Sequence, residues 1–365
     1  MQSSPDLLIE RIRAAAASAT PLQIRGGGSK DFYGETPVGE LLDTREFSGI
    51  VSYEQSELVV TVRAGTPLSE LEALLGESGQ CLPFEPPHFA GGATVGGMVA
   101  SGLNGPARAS VGSVRDYVLG IVMVNGKGEL LTFGGQVMKN VAGYDVSRLM
   151  VGALGTLGLI TEVSLKVLPA PVAEATLKFE MKHVQALQRL NAWGGQPLPL
   201  NASCWVDDDG VPTLYLRLRG AAAAVESACK SLGGEMQDNA AAARDWQRCR
   251  DQRLPWFNER GERDLWRLSV PQTAPVLDLP EAPFIEWHGG QRWIRAEAGD
   301  AQRLRKAASD AGGHATLFAR SPGAASAKTP RFAPLAPAVE HIHRELKRQF
   351  DPAGIFNPGR LIPGL

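Results

Sequence analysis

The chain has 365 residues, of which 44% are hydrophobic and 21% are charged, and its formal net charge at pH 7 is -2. This length leaves room for two or three domains, and the composition excludes a largely disordered chain. The small net charge provides no overall basic field that would hold nucleic acid or an anionic membrane. No nucleic-acid partner is therefore predicted.

Cysteine usage and hydropathy restrict the class of protein further. Cys81, Cys204, Cys229 and Cys249 form no CxxC pair, so neither an iron–sulfur cluster nor another metal site is predicted in this chain. The first twenty residues lack the apolar core of a signal peptide, and no stretch approaches the ~20 apolar residues of a transmembrane segment. We expect a cytoplasmic protein, or one that is peripheral on the inner membrane through partner subunits.

The first 170 residues alternate short apolar runs with turn signals. A helix is predicted at 5–18 and another from Pro67 to about Glu77, with Thr66 as its cap. Asn125-Gly126 suits a tight primed turn between two strands. The predicted strands of this half are 21–25, 41–43, 49–52, 58–63, 118–124, 129–133 and 159–168.

The second half contains alanine-rich helical stretches, weaker strands and most of the tryptophans. This mixture predicts helices beside a mostly antiparallel sheet, so the fold class is α+β. A Pro- and Ala-rich loop at 321–337 precedes a last helix. The predicted elements are helices at 221–232, 240–250, 301–311 and 339–350 and a strand at 214–218.

Three glycine clusters lie in the first half, at 26–28, at 91–97 and at 152–158. Glycine permits positive φ and close approach of the backbone to a ligand, and successive N–H groups can form a concave site for phosphate oxygens. Tight turns are the alternative explanation for any one cluster. Neither the GxGxxG pattern nor the P-loop pattern is present, because residue 31 is Asp and Lys30 is not followed by Ser or Thr. A nucleotide fold of another kind is indicated.

Seven segments contain motifs that can be compared with known families: Arg25–Ser29, Gly92–Gly102, Gly112–Asp116, Lys139–Asp145, Gly152–Glu162, Phe350–Pro352 and Phe356–Arg360. Together and in this order they resemble the vanillyl-alcohol oxidase (PCMH-type) family of FAD proteins, and the whole chain is similar to the FAD-binding E subunits of bacterial glycolate oxidases. The resemblance is good over residues 20–170 and over about the last twenty residues, and it is weak between them.

The resemblance implies a PCMH-type FAD-binding domain of two α/β subdomains (1–170), a C-terminal α+β cap domain (171–335) and a last segment that returns to the flavin (336–365). Gly26–Ser29 and Thr94–Gly97 would hold the pyrophosphate. Some relatives attach FAD to a histidine just after the first glycines, where Gly28 and Ser29 stand here, so noncovalent FAD is expected. The implied cofactor-binding residues are Gly26, Gly27, Gly28, Ser29, Thr94, Gly96, Gly97, Ser101, Gly102, Arg115, Ile160, Asn357 and Arg360.

The catalytic relatives carry Gly-Asn-x-His and Glu-His-Gly segments that this sequence lacks. His288 and Arg292 are weak candidates for a base and a carboxylate ligand, and a strand of the cap with Trp293 in the core is the alternative for that stretch. The resemblance therefore implies a glycolate dehydrogenase complex that oxidises glycolate to glyoxylate. A sister catalytic FAD subunit and an iron–sulfur subunit would be its partners. A self-sufficient 2-hydroxy-acid dehydrogenase and an assembly subunit without redox function remain open.

Overall fold

The structure, a computed structural model, describes residues 5–135, 144–321 and 329–365. The chain divides into two compact units. Unit 1 comprises Met1–Leu103, Ser113–Ala170 and Pro334–Leu365, and unit 2 comprises Asn104–Gly112 and Pro171–Ala333. The short segment 104–112 thus belongs to unit 2, although the sequence suggested no break there. The interpretation of the units as a FAD-binding domain and a cap remains a prediction.

Fifteen of the described elements lie between the start of the chain and residue 170, and the helices and strands predicted there are present. Of these elements, only α4 belongs to unit 2. In chain order they are α1 (Asp6–Ser18), β1 (Leu22–Arg25), β2 (Glu40–Asp43), β3 (Ile50–Glu54), β4 (Val59–Arg63), α2 (Leu68–Glu77), β5 (Gln80–Cys81), α3 (Val95–Ser101), α4 (Arg108–Val111), α5 (Val114–Tyr117), β6 (Val118–Val124), β7 (Leu130–Gly134), α6 (Val146–Leu149), β8 (Leu159–Lys166) and β9 (Leu168–Pro169).

Unit 1 is built on two sheets that differ in strand direction. β1 and β2 pair in parallel, and five strands form an antiparallel sheet in the order β3-β4-β8-β6-β7. β5 and β9 make a small third pair. The apolar faces of α2 and α3 pack on the five-stranded sheet, where Leu68, Leu71, Val95 and Met98 are almost fully buried. The glycine clusters lie at the connections around these packed helices and strands.

Two local predictions in unit 1 are wrong in detail. Thr66 does not cap α2, because its hydroxyl accepts the N–H of Gly49 at 2.8 Å and Pro67 occupies the capping position. The hairpin between β6 and β7 does not use a primed Asn125-Gly126 turn. Gly128 takes the left-handed conformation with φ 71°, while the Asn125 side chain accepts the N–H groups of Lys127 and Glu129.

The last segment of the chain returns to unit 1. The last helix of the chain, α12, runs from Pro337 to Phe350, and Ile355 and Phe356 then join the core formed by α1, β1 and β2. Lys347 is buried, and its ammonium donates to Asp351 Oδ2 and to two backbone carbonyls at 2.7–2.8 Å. Burial lowers the pKa of Lys347, and the Asp351 carboxylate opposes that shift. Leu22, the first residue of β1, donates its N–H to the Ile355 carbonyl at 2.7 Å and accepts the Asn357 N–H at 2.9 Å, so the last segment is tied to the start of β1.

The described residues of unit 2 form one large sheet with helices packed against it. The elements after residue 170 are β10 (Ala173–Glu180), α7 (His183–Gly194), β11 (Leu200–Asp208), β12 (Val211–Gly220), α8 (Ala222–Leu232), β13 (Glu235–Met236), α9 (Asn239–Arg250), α10 (Pro255–Asn258), β14 (Asp264–Ser269), β15 (Phe284–Glu286), β16 (Gln291–Ala296), α11 (Ala301–Asp310) and β17 (His314–Ala319). The helices predicted at 221–232, 240–250 and 301–311 are present, whereas α7 and α10 were not predicted.

The eight strands of this sheet follow the order β13-β10-β12-β11-β15-β16-β14-β17, and all the pairings are antiparallel. The α+β prediction is thereby confirmed. Alternate side chains of β10–β12 face α7 and α8, so Leu214, Leu216 and Leu218 are completely buried. Within the described residues, no helix combines the length and apolar character needed to cross a bilayer.

Candidate cofactor-binding site

The first candidate element is the glycine loop, which we define as residues 26–29. It leaves the carboxyl end of β1 and is closed by the N–H of Asp31, which donates to the Gly28 carbonyl at 3.1 Å. Gly28 has φ 74°, a conformation that favours glycine. Arg25 Nε donates to Asp31 Oδ2 at 2.7 Å and so connects the two ends of the loop. The sequence after β1 therefore forms a tight, charged turn.

The glycine loop packs directly on the second glycine cluster. A Cβ added to Gly27 would lie far inside van der Waals contact with the Gly92 carbonyl, and one added to Gly26 would overlap the Thr94 hydroxyl. The absence of side chains at these two positions is therefore required by the approach of two backbone segments. This requirement is in addition to any need for close approach by a ligand.

The backbone donors of the glycine loop remain available. Within the described residues, no acceptor contacts the N–H groups of residues 26–29, although all four residues are partly shielded from solvent. Buried or half-buried N–H groups are normally paired, so four consecutive free donors mark a place where an external acceptor fits. A run of unpaired backbone N–H groups suits the oxygens of a phosphate.

In the second glycine cluster, unlike the first, the N–H groups of residues 95–97 are bonded within the protein. The N–H groups of Val95 and Gly96 donate to Thr66 and Ala64 carbonyls at 3.0 and 2.7 Å, and Gly97 N–H donates to Thr94 Oγ1 at 3.2 Å. The first turn of α3 thus uses its donors inside the protein. A Cβ on Gly96 would lie 2.7 Å from the Ala64 Cβ, whereas one on Gly97 would meet only Thr94 Oγ1, at 3.2 Å.

The C-terminal candidates Asn357 and Arg360 lie beside the glycine loop. Asn357 accepts the Ile24 N–H at 2.8 Å and donates to the Leu154 carbonyl at 2.7 Å. Arg360 donates to the carbonyls of Lys30, Asp31 and Glu35. Burial lowers the pKa of Arg360, and nearby Asp31 and Glu35 oppose that shift. Both side chains therefore hold the loop in place, and their predicted contact with flavin or substrate remains a prediction.

The other candidates in unit 1 occupy a second neighbourhood. Ser101 is buried and bonds to the Met98 carbonyl, and Gly102, with φ 62°, ends α3 against the backbone of Gly152. Arg115 is exposed and donates to the Val151 carbonyl at 3.0 Å. Ile160 is buried in β8, where it pairs with β6. Their predicted contacts with FAD remain predictions.

Sequence reasoning missed an aromatic pair beside the glycine loop. The rings of Phe32 and Phe89 meet edge to face with centroids 5.1 Å apart, and Lys30 lies over the Phe89 ring at 5.6 Å. Phe89 has φ 60°, an unusual backbone conformation for an aromatic residue. Pro83, Pro86 and Pro87, which precede Phe89, were the only signal in the sequence that an irregular loop was present.

The two weak catalytic candidates lie in unit 2 and are engaged with the protein. His288 is nine-tenths buried, its Nε2 lies 2.9 Å from Ser110 Oγ and its Nδ1 lies 3.0 Å from Ser203 Oγ. Burial lowers the pKa of His288 to about 4. Arg292 is fully buried and donates to three backbone carbonyls, and burial lowers its pKa to about 10. These contacts favour the alternative explanation, a strand of the cap with Trp293 in the core.

Two further expectations concern residues beyond these sites. Residues 139–143 of the Lys139–Asp145 motif lie outside the described residues. Among the residues that the structure does describe, no group of three His, Cys, Asp or Glu side chains is arranged to hold a metal ion. The candidate site therefore consists of the glycine loop, its partner cluster at 92–97 and the C-terminal segment that supports them.

Comparison with known sequences agrees with this arrangement. Residues 3–134 match the FAD binding domain family. The chain is 47% identical to glycolate oxidase subunit GlcE of Escherichia coli over 358 residues, which cover 98% of this chain and 97% of the relative. It is also 31% identical to glycolate oxidase subunit GlcD of Bacillus subtilis over 168 residues. These residues cover 46% of this chain and 36% of that protein.

Comparison with solved structures supports the fold alone. Alkyldihydroxyacetonephosphate synthase matches with a TM-score of 0.66 and 16% sequence identity, over 97% of this chain and 74% of that one. The PCMH-type fold with a C-terminal α+β part, which the motifs predicted, is confirmed.

Proposed function

This chain belongs to the family of glycolate oxidase subunit GlcE, and on that premise we propose that it is the FAD-binding subunit of a complex that oxidises glycolate to glyoxylate. It is a subunit of an FAD-dependent oxidoreductase that acts on the CH–OH group of a 2-hydroxy acid. The observation that carries the proposal is the identity of 47% over nearly the whole of both chains.

The residues of unit 1 fit FAD. The cofactor carries a pyrophosphate, and the free N–H groups of residues 26–29 form an uncharged set of donors for its oxygens. The guanidinium of Arg25, at the base of the loop, adds a positive charge nearby, while Asp31 pairs with it and fixes its position. Bound FAD supplies the two-electron redox chemistry. The protein would position FAD through the glycine loop. Asn357 and Arg360 support this loop by hydrogen bonds to the backbone of the residues on either side of it.

Noncovalent attachment is part of the proposal. Gly28 and Ser29 stand where some relatives of this fold carry an attachment histidine. The side chain of Ser29 accepts a hydrogen bond from Lys30 at 3.2 Å and is not a usual nucleophile toward a flavin ring. Acid or heat should therefore release FAD from the purified protein.

The chemistry of glycolate oxidation also requires a base that can reach the hydroxyl proton. His288 is neutral, buried and flanked by two serine hydroxyls, and His88 is paired with Glu72 at 2.9 Å. Burial also lowers the pKa of His183 to about 4, and its ring is stacked on Trp205. We infer that a sister FAD subunit removes the hydride and proton from glycolate, and that an iron–sulfur subunit accepts the electrons.

The proposal is tested by mixing glycolate with the FAD-loaded chain alone, and with the assembled complex, in a stopped-flow spectrophotometer. We expect bleaching of the flavin on the catalytic timescale of ~1–1000 per second only in the complex. Rapid bleaching of the isolated chain would replace the proposal with a self-sufficient dehydrogenase. A purified chain without flavin, in a complex that is still active, would point to an assembly subunit.

A further inference from the structure

Unit 2 contains an open cleft with a volume of about 820 Å³. This volume falls within the range of roughly 300–1,000 Å³ that is typical of ligand-binding pockets. Its walls are the turn between β11 and β12, the helices α9 and α10, and the adjoining ends of β15 and β16. We call this cavity the unit 2 cleft.

The unit 2 cleft and His288 lie on opposite faces of the sheet. Cys204, Val206 and Tyr215 line the cleft, and the register pairs Cys204 with Tyr215. Ser203, which contacts His288, precedes Cys204 on β11 and therefore faces the other side of the sheet. The cleft is therefore separate from His288 and Arg292, the two catalytic candidates that the sequence offered, and neither residue lines it.

One wall of the cleft is aromatic. Trp256 is half-buried, and its ring centroid lies 5.3 Å from that of the buried Phe284. The guanidinium of Arg295 lies 4.7 Å from the centroid of Trp256. Leu254, Val206 and Ala242 extend the apolar surface. A partly exposed tryptophan in a concave apolar wall is typical of a surface that is completed by an apolar or cationic group from another molecule.

The rim of the cleft is strongly acidic. Seven carboxylate side chains and two arginines line it. Glu281 is neutralised by Arg263 and Arg295 at 2.7 and 2.8 Å, and Asp245 lies 3.5 Å from Arg248. The remaining acids are exposed and come from three separate segments. They are Asp207 and Asp208 at the end of β11 with Asp209 in the turn that follows, Asp238 before α9, and Glu259 after α10.

This charge decides which class of molecule fits. A 2-hydroxy-acid anion or a phosphate would be repelled by these carboxylates, which have no ion-pair partner among the described residues, so the cleft is suited to neither glycolate nor the phosphates of FAD. A cation is attracted, and an apolar group beside the cation would cover the aromatic wall. Since the acids surround the opening from three segments, one compact cation would leave most of them unmatched. Several lysine or arginine side chains on one chain segment would match them together.

We propose that the unit 2 cleft is the docking site for a basic, partly apolar segment of a partner subunit. The inference rests on the proposed function, because it assigns this surface to assembly of the oxidase complex. Charge complementarity would steer the encounter and fix the orientation, and the Trp256 wall would supply the apolar contact.

The test is a charge reversal in the complete complex. The double variant Asp207→Lys with Glu259→Lys alters only exposed side chains of the cleft rim, and neither residue has a positive φ. Its matched control is Asp278→Lys with Asp310→Lys, which makes the same change of charge at exposed positions of unit 2 outside the cleft. Each form is co-expressed with the partner subunits and purified through a tag on this chain. Partner recovery, FAD content and melting temperature are then measured.

We expect the cleft variant to lose at least about tenfold in partner recovery, because like charges would then face each other across the interface, while its FAD content and melting temperature stay unchanged. The control should keep its partners. Equal recovery of partners by the cleft variant and the wild type, with glycolate oxidation intact, would overturn the inference and leave the proposed function standing. Equal loss in both variants would also overturn it, as a general charge effect.

Two further outcomes are informative. If the wild-type chain assembles with no partner, the proposed function fails and this inference fails with it. Spermine serves as the probe for a small-molecule site: if it binds the wild type but not the cleft variant, while partner recovery is the same for both, the cleft is a polycation site and the docking proposal is overturned.

Discussion

The glycine loop of unit 1 and the turn between β15 and β16 of unit 2 both contain residues with positive φ. They differ in whether their hydrogen-bonding groups have partners within the protein. In the glycine loop of unit 1, Gly28 has φ 74° and four successive N–H groups have no acceptor among the described residues. In the turn between β15 and β16 of unit 2, Trp287, His288 and Gly289 all have positive φ. There the Trp287 indole donates to Gly105, and both ring nitrogens of His288 are engaged.

Unused hydrogen-bonding groups, and not backbone strain, distinguish the loop that we propose binds FAD from the structural turn. Strained backbone is enriched at functional sites, and a buried histidine invites a catalytic interpretation. In this protein the strained turn with the histidine uses its hydrogen-bonding groups within unit 2, whereas the glycine loop retains unused donors. Free donors at a close-packed backbone are the better sign of a ligand site.

The largest effect should follow from a methyl group on the glycine loop. In Gly27→Ala the added Cβ would collide with the Gly92 carbonyl, so the two glycine clusters must separate. We expect a purified chain without FAD and a loss of about 2–3 kcal/mol in the free energy of unfolding. Flavin absorbance per chain and denaturant unfolding measure both effects.

Gly91→Ala is the control for that variant, because a Cβ at Gly91 would meet nothing within 4 Å. It should keep its FAD and its stability. If Gly27→Ala bound FAD as fully as the control and unfolded at the same denaturant concentration, the packing of the two clusters would be wrong.

An intermediate effect, on stability alone, is expected at His288. His288→Ala removes the hydrogen bonds to Ser110 and Ser203 and should lower the free energy of unfolding by about 2–3 kcal/mol. His288→Asn should lose less, because asparagine tolerates the left-handed conformation that His288 adopts. FAD content should be unchanged in both variants, and loss of flavin would contradict the structural role.

The same residue makes a pH-dependent contribution with a definite sign. Its pKa is lowered from 6.5 to about 4 in the folded protein, so the unfolded chain binds the proton first. The contribution is fully present above pH 6.5 and is lost as the pH falls toward 4. The free energy of unfolding of the wild type should therefore fall more steeply between these pH values than that of His288→Ala. Parallel pH profiles would show that the histidine is not buried as described.

The smallest change in stability is expected at Gly97, where a substitution should alter the affinity for FAD and leave the free energy of unfolding nearly unchanged. In Gly97→Ala the Cβ meets Thr94 Oγ1 at 3.2 Å, so the free energy of unfolding should change by less than about 1 kcal/mol. If this segment approaches the pyrophosphate, the dissociation constant for FAD should rise about tenfold, which is about 1.4 kcal/mol. Titration of the apoprotein with FAD measures it.

Gly96→Ala provides the contrast, because its Cβ would lie 2.7 Å from the Cβ of Ala64 and should destabilise the fold. Unchanged FAD affinity in Gly97→Ala would leave residues 94–97 with a packing role only.

Much of the local structure follows from the sequence alone. The helical period of residues 6–18, the alternation around Val60 and Val62, and the alanine-rich helices of unit 2 each have one stable arrangement, because apolar spacing matches one secondary structure. The ordered motifs also identified the family and FAD. The Asn125-Gly126 turn was misassigned because the Asn125 side chain bonds to later N–H groups and moves the left-handed residue to Gly128.

Tertiary structure decided the rest. The sequence could not show that Gly27 is excluded from carrying a side chain by Gly92, sixty-five positions later, or that Asn357 bonds to Ile24 and Leu154. Nor could it show that segment 104–112 belongs to unit 2, or that a turn, two helices and two strand ends enclose an acidic cleft. The spacing of apolar and turn residues along the chain determines the secondary structure, and hence the local hydrogen bonds, of each segment. Contacts between distant segments depend on how helices and strands pack, and packing determines which donors and charges are left for another molecule.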